Sequence, residues 1–287
     1  MADFENLISR AEALLARLEG VLPPAPLVPD WSAIAWRWQQ FNGRGQLQAV
    51  PHPHAITLND LHNIADQKAE VVRNTRQFLQ NLPANNVLLT GARGTGKSSL
   101  VKALLSDFHH LGLRLVEVDK QDLVALPEIV SILRSRPEHF IVFCDDLSFE
   151  AGEPGYKALK VVLDGSVAAT SDNVLVYATS NRRHLLPEYM AENLETKHLD
   201  GEIRPGDTTE EKISLSERFG LWLSFYAFDQ DEYLKVAQQW LQHYAIDATG
   251  DKVRRAALQF ALTRGSRSGR VAYQFARDYA GQQKLKN

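Results

Sequence analysis

Residues 91–99 read Gly91-Ala92-Arg93-Gly94-Thr95-Gly96-Lys97-Ser98-Ser99, an uninterrupted G-x-x-x-x-G-K-[ST] pattern. Its glycines let the backbone turn back on itself and aim N–H groups at an anion. Lys97 can reach β- and γ-phosphates, and the Ser98 hydroxyl can ligate Mg2+. The flanks supply the context that the pattern needs. Asn85-Asn86-Val87-Leu88-Leu89-Thr90 is a short apolar run before the loop, and Leu100-Val101-Lys102-Ala103-Leu104-Leu105 continues after it with helical spacing. The loop is therefore predicted to join a buried strand to a helix N-terminus, where the helix dipole favours a phosphate.

The chain around it has 287 residues, enough for one large domain or a core with a smaller companion. Its hydrophobic content of 44% supplies material for a sizeable core. A net charge of −3 does not mark the whole chain as a nucleic-acid binder. The single cysteine, Cys144, excludes an internal disulfide framework and lies in an apolar run, as a buried inert thiol does. Met1-Ala2-Asp3-Phe4-Glu5 lacks the basic start and apolar core of a signal peptide, and no apolar run approaches a membrane span. A soluble, cytoplasmic protein with no membrane partner is expected. Charge is uneven, however. Residues 251–287 hold nine Lys/Arg against two Asp, about +7, which leaves the remainder near −10. Such asymmetry fits either a surface for nucleic acid or an acidic partner, or a solvated basic helix face.

Strands alternate with helices through the middle of the chain. Leu113–Val118, His139–Cys144 and Asn173–Thr179 read as strands, and Leu221–Phe225 as a short fifth; the helices between them run over Val124–Arg134 and Gly155–Gly165. A further helix is expected within Thr57–Leu82, and the turn before such a helix is a candidate cover for a nucleotide base, at Leu61 to Ile64. From Asp229 onward only helical periodicity remains. Phe4, Leu7, Ile8, Ala11, Leu14, Leu15 and Leu18 form an amphipathic helical stripe at the N-terminus, followed by the Pro23-Pro24-Ala25-Pro26 breaker. Trp31, Trp36, Trp38 and Phe41 crowd the next stretch and are expected to pack onto the main domain. His52, His54 and His62 lack metal-site spacing. The expected organisation is an N-terminal helical segment (1–55), an α/β nucleotide-binding domain (56–228) and a helical lid (229–287).

The strand ends carry the remaining chemistry. Asp145 closes an apolar strand, where a carboxylate can hold the Mg2+ that bridges phosphates. Asp146 follows it and can orient an attacking water, with Glu150 the alternative. Asn181 ends the next strand, where its amide can hydrogen-bond a γ-phosphate or the water. Arg218 precedes the last short strand, placed to stabilise transition-state charge in a neighbouring subunit's site or else to form a local ion pair. Arg267 and Arg270 open a lid helix and can reach back to the phosphates. Residues 187–213 form a long acidic insertion, read as a partner loop or a linker.

Taken in order, the GARGTGKSS loop, FCDDLSFE, YATSNRRHLLPE, ISLSERFGLWLSF and GSRSGRVAYQF resemble the motif set of AAA+ ATPases, most of all an uncharacterised bacterial family of them known by a domain-of-unknown-function number. The resemblance covers about residues 55–280. It implies Walker A at Gly91, Ala92, Arg93, Gly94, Thr95, Gly96, Lys97, Ser98 and Ser99, Walker B at Asp145-Asp146, sensor one at Asn181, an arginine finger at Arg218 and sensor two at Arg270. It also implies ATP and Mg2+ as cofactors, a homo-oligomer, and a three-layer αβα fold with strand order 5-1-4-3-2 and a C-terminal helical lid. The departure is Asp146, where most AAA+ proteins carry glutamate, and slow hydrolysis follows from it. The expected function is an ATPase that remodels or loads a protein or DNA partner; the alternative is a nucleotide-gated switch with little turnover.

Overall fold

A computed structural model describes residues 2–19, 28–41, 43–149, 153–164, 172–182, 185, 197–199, 202–204, 215–248 and 250–285. Glu150 and most of the acidic stretch 187–213 therefore lie outside the described residues. Within that stretch, β7 (Lys197–Leu199) and β8 (Glu202–Arg204) pair antiparallel.

The strand after each helix returns parallel to the one before it. β3 (Val87–Gly91), β4 (Leu113–Glu117), β5 (His139–Cys144), β6 (Val174–Ser180) and β9 (Leu221–Phe225) form parallel neighbours in the order β4-β5-β6-β3-β9. Read from the far edge, this is the expected 5-1-4-3-2 order. Strands of this kind are buried on both faces, and their side chains divide by parity. Val87, Leu89, Ile141, Phe143 and Tyr177 face a core built with α2 (Ala65–Leu79) and α3 (Lys97–Phe108), through Val71, Phe78, Leu100 and Leu104. Leu88, Val116, Phe140, Val142 and Ala178 face the opposite core, built with α4 (Leu126–Arg134) and α5 (Pro154–Asp164) through Ile129, Leu133, Tyr156 and Leu159. Cys144 is fully buried in that second core, and burial pushes its thiol up to about 12. It is an inert core residue.

The N-terminal region differs from the helical segment expected over 1–55. Among the described residues of that stretch only α1 (Ala2–Glu19) is an α-helix, and its apolar stripe, with Phe4, Leu7, Ile8, Leu14 and Leu15, is exposed. Downstream, β1 (Ala35–Phe41) and β2 (Arg44–Ala49) form an antiparallel hairpin, and β1 pairs parallel with β4. The sheet thus gains two strands beyond its expected edge, in the order β2-β1-β4-β5-β6-β3-β9. The physical reason is alternation. Trp36 and Trp38 point to one face and are buried in the α4/α5 core, while Arg37 and Gln39 point away and are exposed. Trp31 adds to the same cluster, with Phe140 at 6.4 Å and the Arg136 guanidinium 4.6 Å above its ring. Gly45 is required because Trp38 lies flat on it; a β-carbon there would come within 1.9 Å of the ring.

The helix expected within Thr57–Leu82 starts late, at Ala65, after a short turn at Leu58–Asp60. After β9 come α6 (Gln230–His243), α7 (Asp251–Arg264) and α8 (Gly269–Lys284), which enclose a separate core around Tyr233, Leu241, Ala261, Ala272 and Phe275. α6 begins with a reciprocal cap: Glu232 N–H donates to Asp229 at 2.8 Å and Asp229 N–H to the Glu232 carboxylate at 2.8 Å. Among the described residues no helix is long and apolar enough to cross a membrane.

Candidate nucleotide-binding site

At the carboxyl ends of β3, β5 and β6 the sheet opens into a cavity of about 810 Å3, roofed by the helical lid. Ligand sites of α/β sheets form at such strand ends. The 91–99 loop crosses its floor. Gly91, the last residue of β3, has φ +122°, and a β-carbon on it would lie 1.9 Å from the Phe225 carbonyl of β9. Only glycine lets the loop leave the sheet there. The adjacent Ala92 N–H donates to the same Phe225 oxygen at 3.0 Å. Gly96 then caps α3, whose first residues, Lys97 and Ser98, line the cavity.

Lys97 is 5% exposed. Its ammonium donates to Gly91 O at 2.9 Å, Ala92 O at 2.7 Å and Asn181 Oδ1 at 3.1 Å. Burial pushes its pKa down to about 8; the Asp146 and Asp145 carboxylates oppose this, and the Arg270 and Arg93 charges reinforce it. Ser98 Oγ donates to Asp145 Oδ1 at 2.6 Å. These hard oxygen donors, one hydroxyl and one carboxylate, suit Mg2+, which takes few protein ligands and completes its shell with water and phosphate. Among the described residues no cluster of three His, Cys, Asp or Glu groups could hold a metal by itself.

Asp146 sits in the left-handed region at φ +52°. Its carboxylate accepts a hydrogen bond from Asn181 Nδ2. Asn181 therefore bridges Lys97 and Asp146, one through each end of its amide. The lid meets the loop directly: Arg270 N–H donates to Gly94 O at 3.1 Å, and its side chain is exposed at the cavity wall. The rest of the cavity lining is largely apolar and aromatic. Leu61, His62 and Ile64, which precede α2, line it together with Trp240, Tyr244 and Tyr273 of the lid, and Ile64 also approaches Gly96 of the loop. Trp240 stacks edge-on to Tyr273 at 4.8 Å and to His62 at 6.4 Å. Burial pulls the His62 imidazole below its usual pKa, and Lys68 adds to this.

The fold thus gathers Arg93 to Ser99, Asp145, Asp146, Asn181 and Arg270 on one cavity, with Gly91 and Ala92 just beneath it. Arg218 is elsewhere. It pairs with Asp164 at the end of α5 and does not line the cavity. Arg267 is exposed and likewise outside the lining. Sequence reasoning missed Thr179 and the lid aromatics. Thr179 carries a faint signal, a hydroxyl at the buried end of an apolar strand. Trp240 reads as an ordinary apolar position of its helix, and Tyr273 carries no signal of its own in the last helix.

Comparison with known proteins follows this geometry. A family described as "Protein of unknown function (DUF815)" matches residues 31–283. The chain belongs to the DUF815 family. The matched range takes in the β1–β2 hairpin, the cavity and the lid of this DUF815 member. No curated protein matches it. Among solved structures, a variant of Thermotoga maritima RuvB is similar at 14% identity, over 77% of this chain and 64% of that one, with a TM-score of 0.50. A second variant of the same protein gives 16% identity, 74% and 60% coverage, and a TM-score of 0.48. The DUF815 chain spans less than two-thirds of the length of these structures. At such identity the likeness concerns the fold, which is that of the AAA+ ATPases.

Proposed function

We propose that this chain binds ATP with Mg2+ in the cavity, hydrolyses it slowly, and couples the cycle to remodelling or loading a macromolecular partner as a homo-oligomer. The observation that carries the reading is the convergence of Lys97, Asn181 and Asp146 beside the Ser98–Asp145 pair. In this reading the loop N–H groups and Lys97 hold the β- and γ-phosphates, and Arg270 approaches them from the lid. Ser98 and Asp145 hold Mg2+, which supplies positive charge to the phosphates when bound. Asp146 orients the water whose oxygen attacks the γ-phosphorus as the bond to the ADP oxygen breaks, and Asn181 aligns that water or the γ-phosphate. The aromatic wall of Trp240, Tyr244 and Tyr273, with Leu61 to Ile64, receives the base. Arg218, outside its own cavity, serves a neighbouring subunit's site.

The division of the chain into α/β domain and lid near Phe228/Asp229 is also proposed, supported by the lid's separate core, which takes in Phe228 itself. The pairing of β1 with β4 supports starting the α/β domain before Trp31, ahead of the position expected from sequence.

The test is phosphate release from ATP across protein concentrations, for wild type and Lys97→Ala. Turnover per subunit that rises with concentration and vanishes in the variant is expected. Wild-type protein that neither binds nor hydrolyses ATP at any concentration defeats the reading.

A second reading, a nucleotide-gated switch with little turnover, is favoured by Asp146. Its side chain is one methylene shorter than glutamate, and its carboxylate is already engaged by Asn181. Exposed Lys252, Arg254 and Arg255 on α7, with Arg277 on α8, make DNA a possible partner of such a switch. Salt-sensitive DNA binding that differs between ATP and ADP supports it. Absence of DNA binding at low salt in every nucleotide state removes DNA.

A further inference from the structure

Thr179 lies two residues before Asn181, at the end of β6, and is 1% exposed. Its hydroxyl donates to Asp145 Oδ1. The Thr179 hydroxyl oxygen in turn accepts the Asp146 N–H at 2.9 Å. Its backbone carbonyl accepts the Leu147 N–H at 2.7 Å. One residue of β6 therefore grips three consecutive residues as they leave β5.

Each grip has a distinct consequence. Asp145 Oδ1 receives Ser98 Oγ–H at 2.6 Å, Asp146 N–H at 3.1 Å and the Thr179 hydroxyl. Three donors converging on one oxygen fix the carboxylate's rotation and leave Oδ2 as the oxygen that can turn to a cation. Asp146 is held at φ +52°, a backbone region that side chains other than glycine seldom adopt. That conformation aims its carboxylate at Asn181. Of the two acceptors for the Asp146 N–H, Thr179 is the nearer.

We propose that Thr179 is a positioning residue that sets both carboxylates with one hydroxyl: the cation-holding face of Asp145 through its Oδ1, and the direction of Asp146 through its amide. This rests on the ATP–Mg2+ reading above. The hydroxyl, rather than the size of the side chain, is the active feature. Removing it orphans no buried donor, because the Asp146 N–H keeps its bond to Asp145.

Two measurements on the full chain test this, on Thr179→Val, which keeps the shape, and Thr179→Ser, which keeps the hydroxyl. The first is amide exchange at Asp146 in the nucleotide-free protein, which needs no metal or turnover. The second is the Mg2+ concentration that half-saturates tightening of a fluorescent ATP analogue. In Thr179→Val the Asp146 amide is expected to exchange faster, and the Mg2+ requirement to rise about 10–100-fold, the usual scale for losing a partner of a metal ligand. Thr179→Ser is expected to match wild type in both. Wild-type behaviour in the valine variant overturns the proposal, and so does a serine variant as impaired as the valine one. If valine prevents folding, Thr179→Ala is compared with serine in the same way. A wild-type protein whose nucleotide affinity ignores Mg2+ overturns the ATP–Mg2+ reading and the Asp145 half of the proposal with it. The exchange measurement then decides the Asp146 half on its own.

Discussion

Lys97 Nζ lies 3.1 Å from Asn181 Oδ1, a contact between the start of α3 and the end of β6. With the Gly91 and Ala92 carbonyls it uses all three hydrogens of the ammonium. The far end of the same amide donates to Asp146. A phosphate that draws Lys97 away thus frees one end of Asn181 while the other still holds the carboxylate. Asn181→Ala is expected to leave ATP affinity within about tenfold of wild type and to lower turnover about 100-fold or more, the scale of losing one preorganised donor. Parallel binding and phosphate-release assays check it. A large loss of affinity with unchanged turnover would place Asn181 in the ground state instead.

Lys97 also predicts a pH dependence. Its pKa is about 8, against an ordinary value of 10.5. Between those values the unfolded chain binds more protons than the folded one, so Lys97 makes folding stability increase as pH climbs through this window. Phosphate pulls the other way, because it favours the charged ammonium. ATP affinity is expected to weaken above about pH 8, with a limiting slope of about tenfold per unit, and binding there to take up a proton. Calorimetry in buffers of different ionisation heat measures that uptake. Affinity flat to about pH 10 would contradict the lowered pKa.

Gly91 and Gly281 make a matched pair of glycines. A β-carbon at Gly91 would press within 1.9 Å of the Phe225 carbonyl, on a backbone at φ +122°, whereas one at Gly281, within α8, meets nothing within 4 Å. Gly91→Ala is expected to lower stability by about 3 kcal/mol or more. Gly281→Ala is expected to raise it by about 0.5–1 kcal/mol through helix propensity. Denaturant unfolding of both variants gives the comparison.

Arg218 is held by Asp164, and the pair is partly exposed, with side-chain exposures of 23% and 41%. Such a pair contributes at most about 1 kcal/mol to stability. Arg218→Ala is therefore expected to fold and bind ATP normally while losing about 10³-fold or more in turnover, if its charge completes a neighbour's site. Mixing it with an excess of Lys97→Ala, whose own site is dead but whose Arg218 is intact, is expected to restore part of the rate. Full activity of Arg218→Ala alone would show that no finger acts here.

Much of this was legible in the chain because it is local. The phosphate loop, the apolar run ending at Asp145-Asp146 and the one ending at Asn181 each declare themselves within about ten residues, the range over which periodicity works. The order of the five central strands matched the resemblance those motifs carry. The β1–β2 hairpin did not stand out, although Trp36-Arg37-Trp38-Gln39 alternates and Gly43 offers a turn. Its second strand, Arg44–Ala49, carries no such aromatic alternation, and the parallel partner that joins the hairpin to the sheet, β4, lies far along the chain. Distance in sequence likewise hid Thr179 from Asp145, Trp240 from His62 and Arg218 from Asp164. Asp164 reads as an ordinary helix-end acid until the fold brings it to Arg218.

The bond from the Arg270 amide to Gly94 O has a mechanical meaning. It joins the lid to the phosphate loop through peptide groups alone, so changing the side chain at 270 removes a charge but leaves the tether. Only a proline there would cut it. A tilt of the lid can thereby be passed to the floor of the cavity, and a disturbance of that floor back to the lid, for any residue at 270 that keeps its backbone N–H.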